Sequence, residues 1–182
     1  LAKSLSSTPS VLDACAGRGV KTEQLRALLG PEATIVAADR SKKKLEHARS
    51  LVNAEFFCGD LSQLLPGDKL FDLVFVDAPC SGLGVLRRRP EVRLRRSEED
   101  LRELSGIQRR LLANLSRAVR PGGILLYAVC TFSRLECQEP VENFLGSEVG
   151  ANFERFLLPD PPEPSWANAD GTWCTYDAPG RA

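Results

Sequence analysis

The sequence predicts an α/β fold: a mostly parallel, doubly wound sheet in a single domain spanning residues 1–182. Three observations predict it. Short apolar runs alternate with segments of helical periodicity, the order that builds β-α-β units. The two strongest runs, Phe71-Asp72-Leu73-Val74-Phe75-Val76 and Gly123-Ile124-Leu125-Leu126-Tyr127, are nearly continuous in apolar residues, as in strands buried on both faces. The 182 residues, 43% of them apolar, suffice for one sizeable core.

The elements follow in order. Residues 10–15 read as the first strand. Val20–Leu29 reads as a helix, stopped by Gly30-Pro31. Residues 33–38 form the second strand, and a lysine-rich helix capped by Ser41 runs to about residue 53. Glu55–Cys58 is a short third strand and residues 71–76 the strongest one. A long loop covers residues 78–96. Ser97, followed by Glu98, Glu99 and Asp100, then opens a helix with a capping hydroxyl and acids in its first turn. Its Leu101, Leu104, Ile107, Leu111, Leu112 and Leu115 keep helical spacing. Pro121-Gly122-Gly123 ends that stretch, and residues 124–129 form another strand. A helix is expected over 135–145, a late strand over 153–158, a proline-rich loop over 159–164 and a last strand over 172–176. No repeat is visible, and the proline-rich loop is too short to separate domains.

Composition narrows the function. Twenty-four basic residues balance twenty-four acidic ones, yet six of the ten residues from Arg87 to Arg96 are arginine. A basic patch on a neutral chain points to a local anionic partner. No stretch approaches the ~20 apolar residues of a membrane span. There is no Cys-x-x-Cys and the single His47 lies in a charged helix, so no metal site is expected. Six cysteines without a secretory signal, with Cys15, Cys58 and Cys130 in or at the ends of strands expected to be buried, suit a reduced, cytoplasmic protein. The chain has no methionine and begins Leu1-Ala2-Lys3, so it is expected to be a fragment or the product of a shortened gene. A monomer is expected.

Two cysteines stand fifty positions apart in matching settings: each closes an apolar strand, Cys80 in Asp77-Ala78-Pro79-Cys80-Ser81-Gly82 and Cys130 in Tyr127-Ala128-Val129-Cys130-Thr131-Phe132-Ser133. Ligands of open α/β sheets bind beyond the carboxyl ends of the strands, so the two thiols are expected in one cleft. That arrangement suits covalent chemistry on an electrophilic carbon. Most free cysteines are instead small buried hydrophobes, and Cys15, Cys58, Cys137 and Cys174 are read that way.

The other end of the cleft looks built for a nucleoside. The first strand runs through Asp13 into Ala14-Cys15-Ala16-Gly17-Arg18-Gly19, and a helix follows. Glycines there let backbone amides approach a ligand closely. The pattern Asp-x-x-x-Gly-x-Gly is not the pyrophosphate-gripping Gly-x-Gly-x-x-Gly. Asp39 follows the second strand, where an acid accepts from ribose hydroxyls. Asp60 follows the third, placed for an adenine amine. One acid after a strand is usually a cap or a turn residue. Three at successive strand ends, with the glycines, favour one bound nucleoside. S-adenosylmethionine is the natural candidate, because no phosphate loop is present.

On these motifs the chain resembles the Sun/Fmu family of RNA cytosine-5 methyltransferases. Asp77 to Gly82 carries the resemblance. Arg88-Arg89-Pro90-Glu91, Gln108, Arg120-Pro121-Gly122-Gly123, Tyr127, Cys130, the segment Glu136-Cys137-Gln138-Glu139-Pro140-Val141-Glu142, and Asp170-Gly171 extend it over roughly residues 11–173. The resemblance implies a Rossmann-like class I S-adenosylmethionine-dependent methyltransferase. It implies Cys130 as the nucleophile on carbon 6 of cytosine and Cys80 as the thiol that permits product release. Asp77 would hydrogen-bond the cytosine amino group or nitrogen 3. Lys21 would face cytosine and cofactor, and Pro79 would shape the base pocket. Cofactor contacts are expected from Asp13, Cys15, Ala16, Gly17, Gly19, Lys21, Asp39, Arg40, Asp60, Asp77 and Pro79. The arginines Arg87, Arg88, Arg89, Arg93, Arg95 and Arg96 are expected to grip RNA phosphates, ribosomal RNA being the expected substrate. The alternative for them is a solvated charged loop.

The chain departs from the family where Gly17, Arg18 and Val20 replace Ala, Pro and Gly of its cofactor loop, where Val129 replaces a Thr, and at the N-terminus, where family members carry further structure. These departures leave an alternative of another class, a non-catalytic cofactor- or RNA-binding remnant. A DNA cytosine methyltransferase uses the Pro-Cys thiol itself as nucleophile; Cys130 argues against that.

Overall fold

The computed structural model describes Leu5, residues 7–155, Thr172 and Trp173. Five strands, β1 (Ser10–Ala14), β2 (Thr34–Asp39), β3 (Glu55–Cys58), β4 (Phe71–Asp77) and β5 (Val119–Ala128), form one sheet in the order β3-β2-β1-β4-β5. Every pairing is parallel, as expected. The helices are α1 (Val20–Leu29), α2 (Lys42–Arg49), α3 (Glu98–Leu115), α4 (Arg134–Cys137) and α5 (Glu139–Leu145). The strand order reverses between β1 and β4, which opens a crevice at their carboxyl ends.

Strand periodicity sorts the core into two layers. Leu12, Ala14, Val36, Ala38, Val74 and Val76 point to one side, where Leu111 and Leu115 of α3 cover them. Val11, Ile35 and Leu73 point to the other, against Leu25 and Leu29 of α1. With both faces covered, the central strands must be apolar at nearly every position, and β1, β2 and β4 are buried almost throughout.

The helix starts follow their sequence signals. Ser97 caps α3 by a reciprocal pair: its hydroxyl accepts from the Asp100 amide, and Asp100 accepts from the Ser97 amide. The buried stripe of α3 differs from its apolar spacing, however. Ser105 and Gln108 are buried with Leu111, Leu112 and Leu115, while Leu101, Leu104 and Ile107 stay partly exposed. Gln108 turns to the polar side chain of Glu136, while Ile107 beside it packs on the apolar core.

Three expected boundaries move. β5 begins at Val119, before Pro121-Gly122-Gly123, because the chain bulges out over these residues: Phe71 pairs with Val119 and Leu73 with Ile124. Gly123 permits the return, since an added Cβ would lie 3.0 Å from the Phe71 carbonyl oxygen and 3.1 Å from that of Asp72. The helix expected over 135–145 is two helices, α4 and α5, joined at Gln138. Pro140 cannot donate within a helix but fits the first turn of a new one. Residues 149–152 make a 3-10 turn, and residues 153–155 no strand. The remainder of the expected late strand, the proline-rich loop, Asp170-Gly171, Cys174 and most of the expected last strand lie outside the described residues. Burial corrects a third group. Cys58 and Cys130 are exposed, not buried. β3 is an edge strand, and Cys130 lies beyond β5 on the loop that follows it. Among the described residues no helix is long and apolar enough to cross a membrane, and no group of three His, Cys, Asp or Glu has metal-holding geometry.

Candidate active site

The carboxyl ends of β1, β4 and β5 deliver Asp13, Asp77 and Cys130 to the crevice. β4 and β5 are in register up to Asp77 opposite Ala128, so the loops carrying Cys80 and Cys130 leave the sheet side by side. The two sulfurs are 3.0 Å apart, and the Cys130 amide donates to the Cys80 sulfur at 3.2 Å. Either sulfur could donate in this contact, and the greater burial of Cys80 favours its keeping the proton. The Cys80 S–H, donated to Cys130, drives the Cys130 thiol down from 9.0 to about 7, against partial burial and the nearby Asp77 and Glu136. The same contact, with burial, drives the Cys80 thiol well above its ordinary value. Cys130 is the more exposed of the two, so the charge sits on the better hydrated sulfur. One thiol is set to be a nucleophile near neutral pH, the other to hold a proton beside it.

Asp77 lies at the floor of this site, half-buried. Burial raises its carboxyl above the ordinary range, and the Lys21 ammonium partly reverses that. Lys21 itself is exposed at the start of α1 and also acts on Asp13. Pro79, between Asp77 and Cys80, is exposed.

The loop after β1 is shaped by left-handed backbone at Cys15 (φ 64°), Gly17 (φ 59°) and Gly19 (φ 87°). Gly19 is needed twice over, since an added Cβ would also fall 2.7 Å from the Cβ of Ala48 on α2. At Gly17 the nearest atom to an added Cβ is 3.9 Å away, so the loop is open there. Asp39 is buried and stitches this loop to the next: its two oxygens accept from the Gly17 amide at 3.0 Å and the Ser41 amide at 2.8 Å. Ala16 donates its amide to Ala38 at 2.9 Å. Asp13 is fully buried, with one oxygen taking the Thr22 hydroxyl and the other without a protein partner. Burial raises its carboxyl to about 7, and the Thr22 bond only partly offsets that. Cys15 is pushed up to about 12 by burial and by Asp39, Asp13 and Asp77, which suits an inert thiol.

Asp60 is exposed, and one of its oxygens is committed to a turn, accepting from the Ser62 amide at 2.9 Å and hydroxyl at 2.7 Å. Arg40 is exposed nearby and acts on the charge of Asp60. The arginine segment folds over two 3-10 turns, Leu83–Val85 and Pro90–Leu94. Arg87, Arg88, Arg89, Arg93, Arg95 and Arg96 are all exposed, but Arg96 is tied back, its Nε donating to the Ser81 carbonyl at 3.1 Å.

Two residues to which the sequence reading gave no role sit under this surface. Thr22 is the partner of Asp13, and Glu136 is fully buried beneath Ser81 and Gln108. The available signal for Glu136 was its place in the acidic stretch that carries the family resemblance.

The ribosomal RNA small subunit methyltransferase B of Pasteurella multocida is 36% identical over 156 residues, covering 79% of this chain and 35% of the relative. That of Xylella fastidiosa is 40% identical over 148 residues, covering 78% and 35%. The chain therefore spans about a third of the length of these curated relatives. NSun6 from Pyrococcus horikoshii, solved with SFG, an analogue of S-adenosylmethionine, superposes with a TM-score of 0.71 at 27% identity, covering 80% of this chain and 39% of that one. A methyltransferase homologue from the same organism gives 0.66 at 27% identity, covering 79% and 46%. The fold is that of the class I S-adenosylmethionine-dependent methyltransferases. Since the profile of one family matches residues 3–165, through the glycine loop and both cysteines, the chain belongs to the 16S rRNA methyltransferase RsmB/F family.

Proposed function

We propose that this chain is the catalytic domain of an RNA cytosine-5 methyltransferase acting on ribosomal RNA. The methyl group passes from S-adenosylmethionine to carbon 5 of a cytosine through a covalent adduct with Cys130. The observation that carries this reading is the contact between the Cys80 and Cys130 sulfurs, 3.0 Å apart at the ends of neighbouring strands.

Carbon 5 of cytosine is a poor nucleophile. Addition of the Cys130 thiolate to carbon 6 makes it enamine-like and splits one hard step into two easier ones. Asp77 assists by hydrogen-bonding the cytosine amino group or nitrogen 3, which favours attack at carbon 6; burial raises its carboxyl and the Lys21 ammonium opposes that. S-adenosylmethionine, when bound, supplies the methyl group on an electron-poor sulfonium. A base must then take the proton from carbon 5, whose C–H electron pair re-forms the 5,6 double bond and expels Cys130 as thiolate. Cys80, beside the Cys130 sulfur, would serve that release as thiolate, accepting the proton after giving up its own.

The residues present fit the cofactor. The surface at Gly17 is open, Asp39 keeps lone pairs beyond the two it gives to amides, and Asp60 has one oxygen outside its turn. Asp39 would hold the ribose and Asp60 the adenine amine, with Cys15, Ala16, Gly17 and Gly19 supplying backbone and Lys21 and Arg40 flanking charge. The target cytosine must be unpaired or flipped out to expose carbon 6. Exposed arginines directly after Cys80 are where phosphates flanking it would run.

The test is methyl transfer from labelled cofactor to ribosomal RNA, with two variants. Cys130→Ala should abolish transfer; transfer that survives it sinks the mechanism. Cys80→Ala should accumulate a protein–RNA adduct, seen as a band of reduced mobility on a denaturing gel. A folded Cys80→Ala chain that transfers methyl groups without adduct would refute the release role. Calorimetry with S-adenosylmethionine separates a remnant that binds RNA alone, for which no binding at millimolar cofactor is expected.

A further inference from the structure

The two thiols sit on separate loops, and a contact of 3.0 Å between loop residues needs an explanation. A buried polar cluster beneath them supplies one. Glu136, on α4, has no exposed surface. One of its oxygens accepts from the Ser81 amide at 2.8 Å and from the Gln108 side chain at 3.1 Å. The other accepts the Ser81 hydroxyl. Since that hydroxyl has given away its only proton, the Thr131 hydroxyl, 3.0 Å off, must be the donor to the Ser81 oxygen. Gln108 also donates to the Pro79 carbonyl at 2.9 Å. The Tyr127 hydroxyl, from β5, donates to the Glu136 carbonyl at 2.6 Å.

The residues on either side of Cys80 are thus pinned from below, Pro79 by Gln108 and Ser81 by Glu136. Through Ser81 the same cluster holds Thr131, the neighbour of Cys130. We propose that Glu136 is the positioning residue of this site: its buried carboxyl locks the Cys80 loop onto the Cys130 loop and so sets the contact between the thiols. The proposal rests on the reading that Cys130 is the attacking thiol.

Stability alone does not account for Glu136. A buried carboxyl carries a large desolvation cost, and well-packed apolar residues in place of buried charged groups are often neutral or stabilising. What a carboxyl offers here is two acceptor atoms in a fixed fork, matched to the amide and hydroxyl of one residue.

The readout is the pH dependence of Cys130 alkylation by iodoacetamide, followed by mass spectrometry of the Cys130 peptide. It needs neither RNA nor cofactor. The titratable groups facing Cys130 are Cys80, which favours its thiolate, and Asp77 and Glu136, which oppose it. Glu136→Ala removes a charge that opposes ionisation, so simple electrostatics would lower the midpoint. Loss of positioning would instead raise it, because the Cys80 contact slackens. We expect a rise from near pH 7 by roughly one unit or more. Glu136→Gln, which still accepts from the Ser81 amide, should stay at the wild-type midpoint or below it. Ser81→Ala, a smaller change that keeps the buried carboxyl, should rise with Glu136→Ala. If Glu136→Ala does not fold, the Gln and Ser81 variants decide. A wild-type midpoint in folded Ser81→Ala, or a fall in Glu136→Ala, overturns the proposal. The underlying reading fails separately: if wild-type Cys80 is alkylated ahead of Cys130 near pH 7, Cys130 is not the attacking thiol.

Discussion

The proton between the two sulfurs is worth removing deliberately. Cys80→Ala deletes the donor that brings Cys130 down to about 7. Its thiol should return towards 9, and alkylation of Cys130 at pH 7 should fall roughly tenfold or more, part of the lost thiolate being offset by greater intrinsic nucleophilicity. Cys80→Ser keeps an O–H donor and should retain much of the reactivity; equal losses in both variants would show that donation is not the cause. Asp13 gives a second residue-level prediction. Its folded carboxyl titrates near 7 against an ordinary 3.8, so its stability contribution is fully present below about pH 4 and is lost as pH rises towards and through 7. Asp13→Asn should flatten the pH dependence of the urea midpoint between pH 4 and 8, an effect of at most a few kcal/mol. An unchanged profile would mean that Asp13 is ionised throughout. The cysteine pair was legible in the sequence because both motifs follow apolar strands. The state of Asp13 was not, because it depends on β2 and β4 closing over β1 from both sides.

Gly19 joins a loop, α1 and α2, and there the element scale decides. Any side chain at φ 87° is strained, and a Cβ would press on Ala48 at 2.7 Å. Gly19→Ala should cost about 2–4 kcal/mol, the sum of left-handed strain and overpacking, and should push α2 from the cofactor loop. Gly122→Ala is the comparison: φ is 77° but nothing lies within 4 Å, so only the strain remains. Equal losses in urea titrations would refute the role of close packing. The tight turns of the same loop were readable because glycine spacing is local information. Elements whose limits depend on distant partners were less readable. The bulge that starts β5 at Val119 is fixed by the carbonyls of Phe71 and Asp72, about fifty residues earlier. The buried Gln108 of α3 contradicts its apolar spacing because Glu136 waits across from it.

At the scale of the molecule, zero net charge forbids RNA binding by overall attraction, so affinity must come from where charge is concentrated. Charge order along the chain was legible at once; whether those side chains are free was not. Asp72 shows why that matters. It bonds the Ser10 amide and hydroxyl and pairs with Arg120 at 2.7 Å, so Arg120 helps close β1, β4 and β5 at their amino ends. Arg102 is paired with Glu98 and Glu99, and Arg96 is tied to Ser81. Arg87, Arg88 and Arg89 are exposed, and no ion pair among the described residues holds them. Each contact with a phosphate of single-stranded RNA should add about 0.7 to the slope of log affinity against log salt. Replacing these three arginines by alanine should therefore lower that slope by about 2 in anisotropy titrations of a single-stranded oligonucleotide between roughly 50 and 200 mM salt. Arg102→Ala, whose charge is already compensated within α3, should leave the slope unchanged. A triple variant with the wild-type slope would return this segment to a solvated charged loop, and RNA would have to be sought on another face of the sheet.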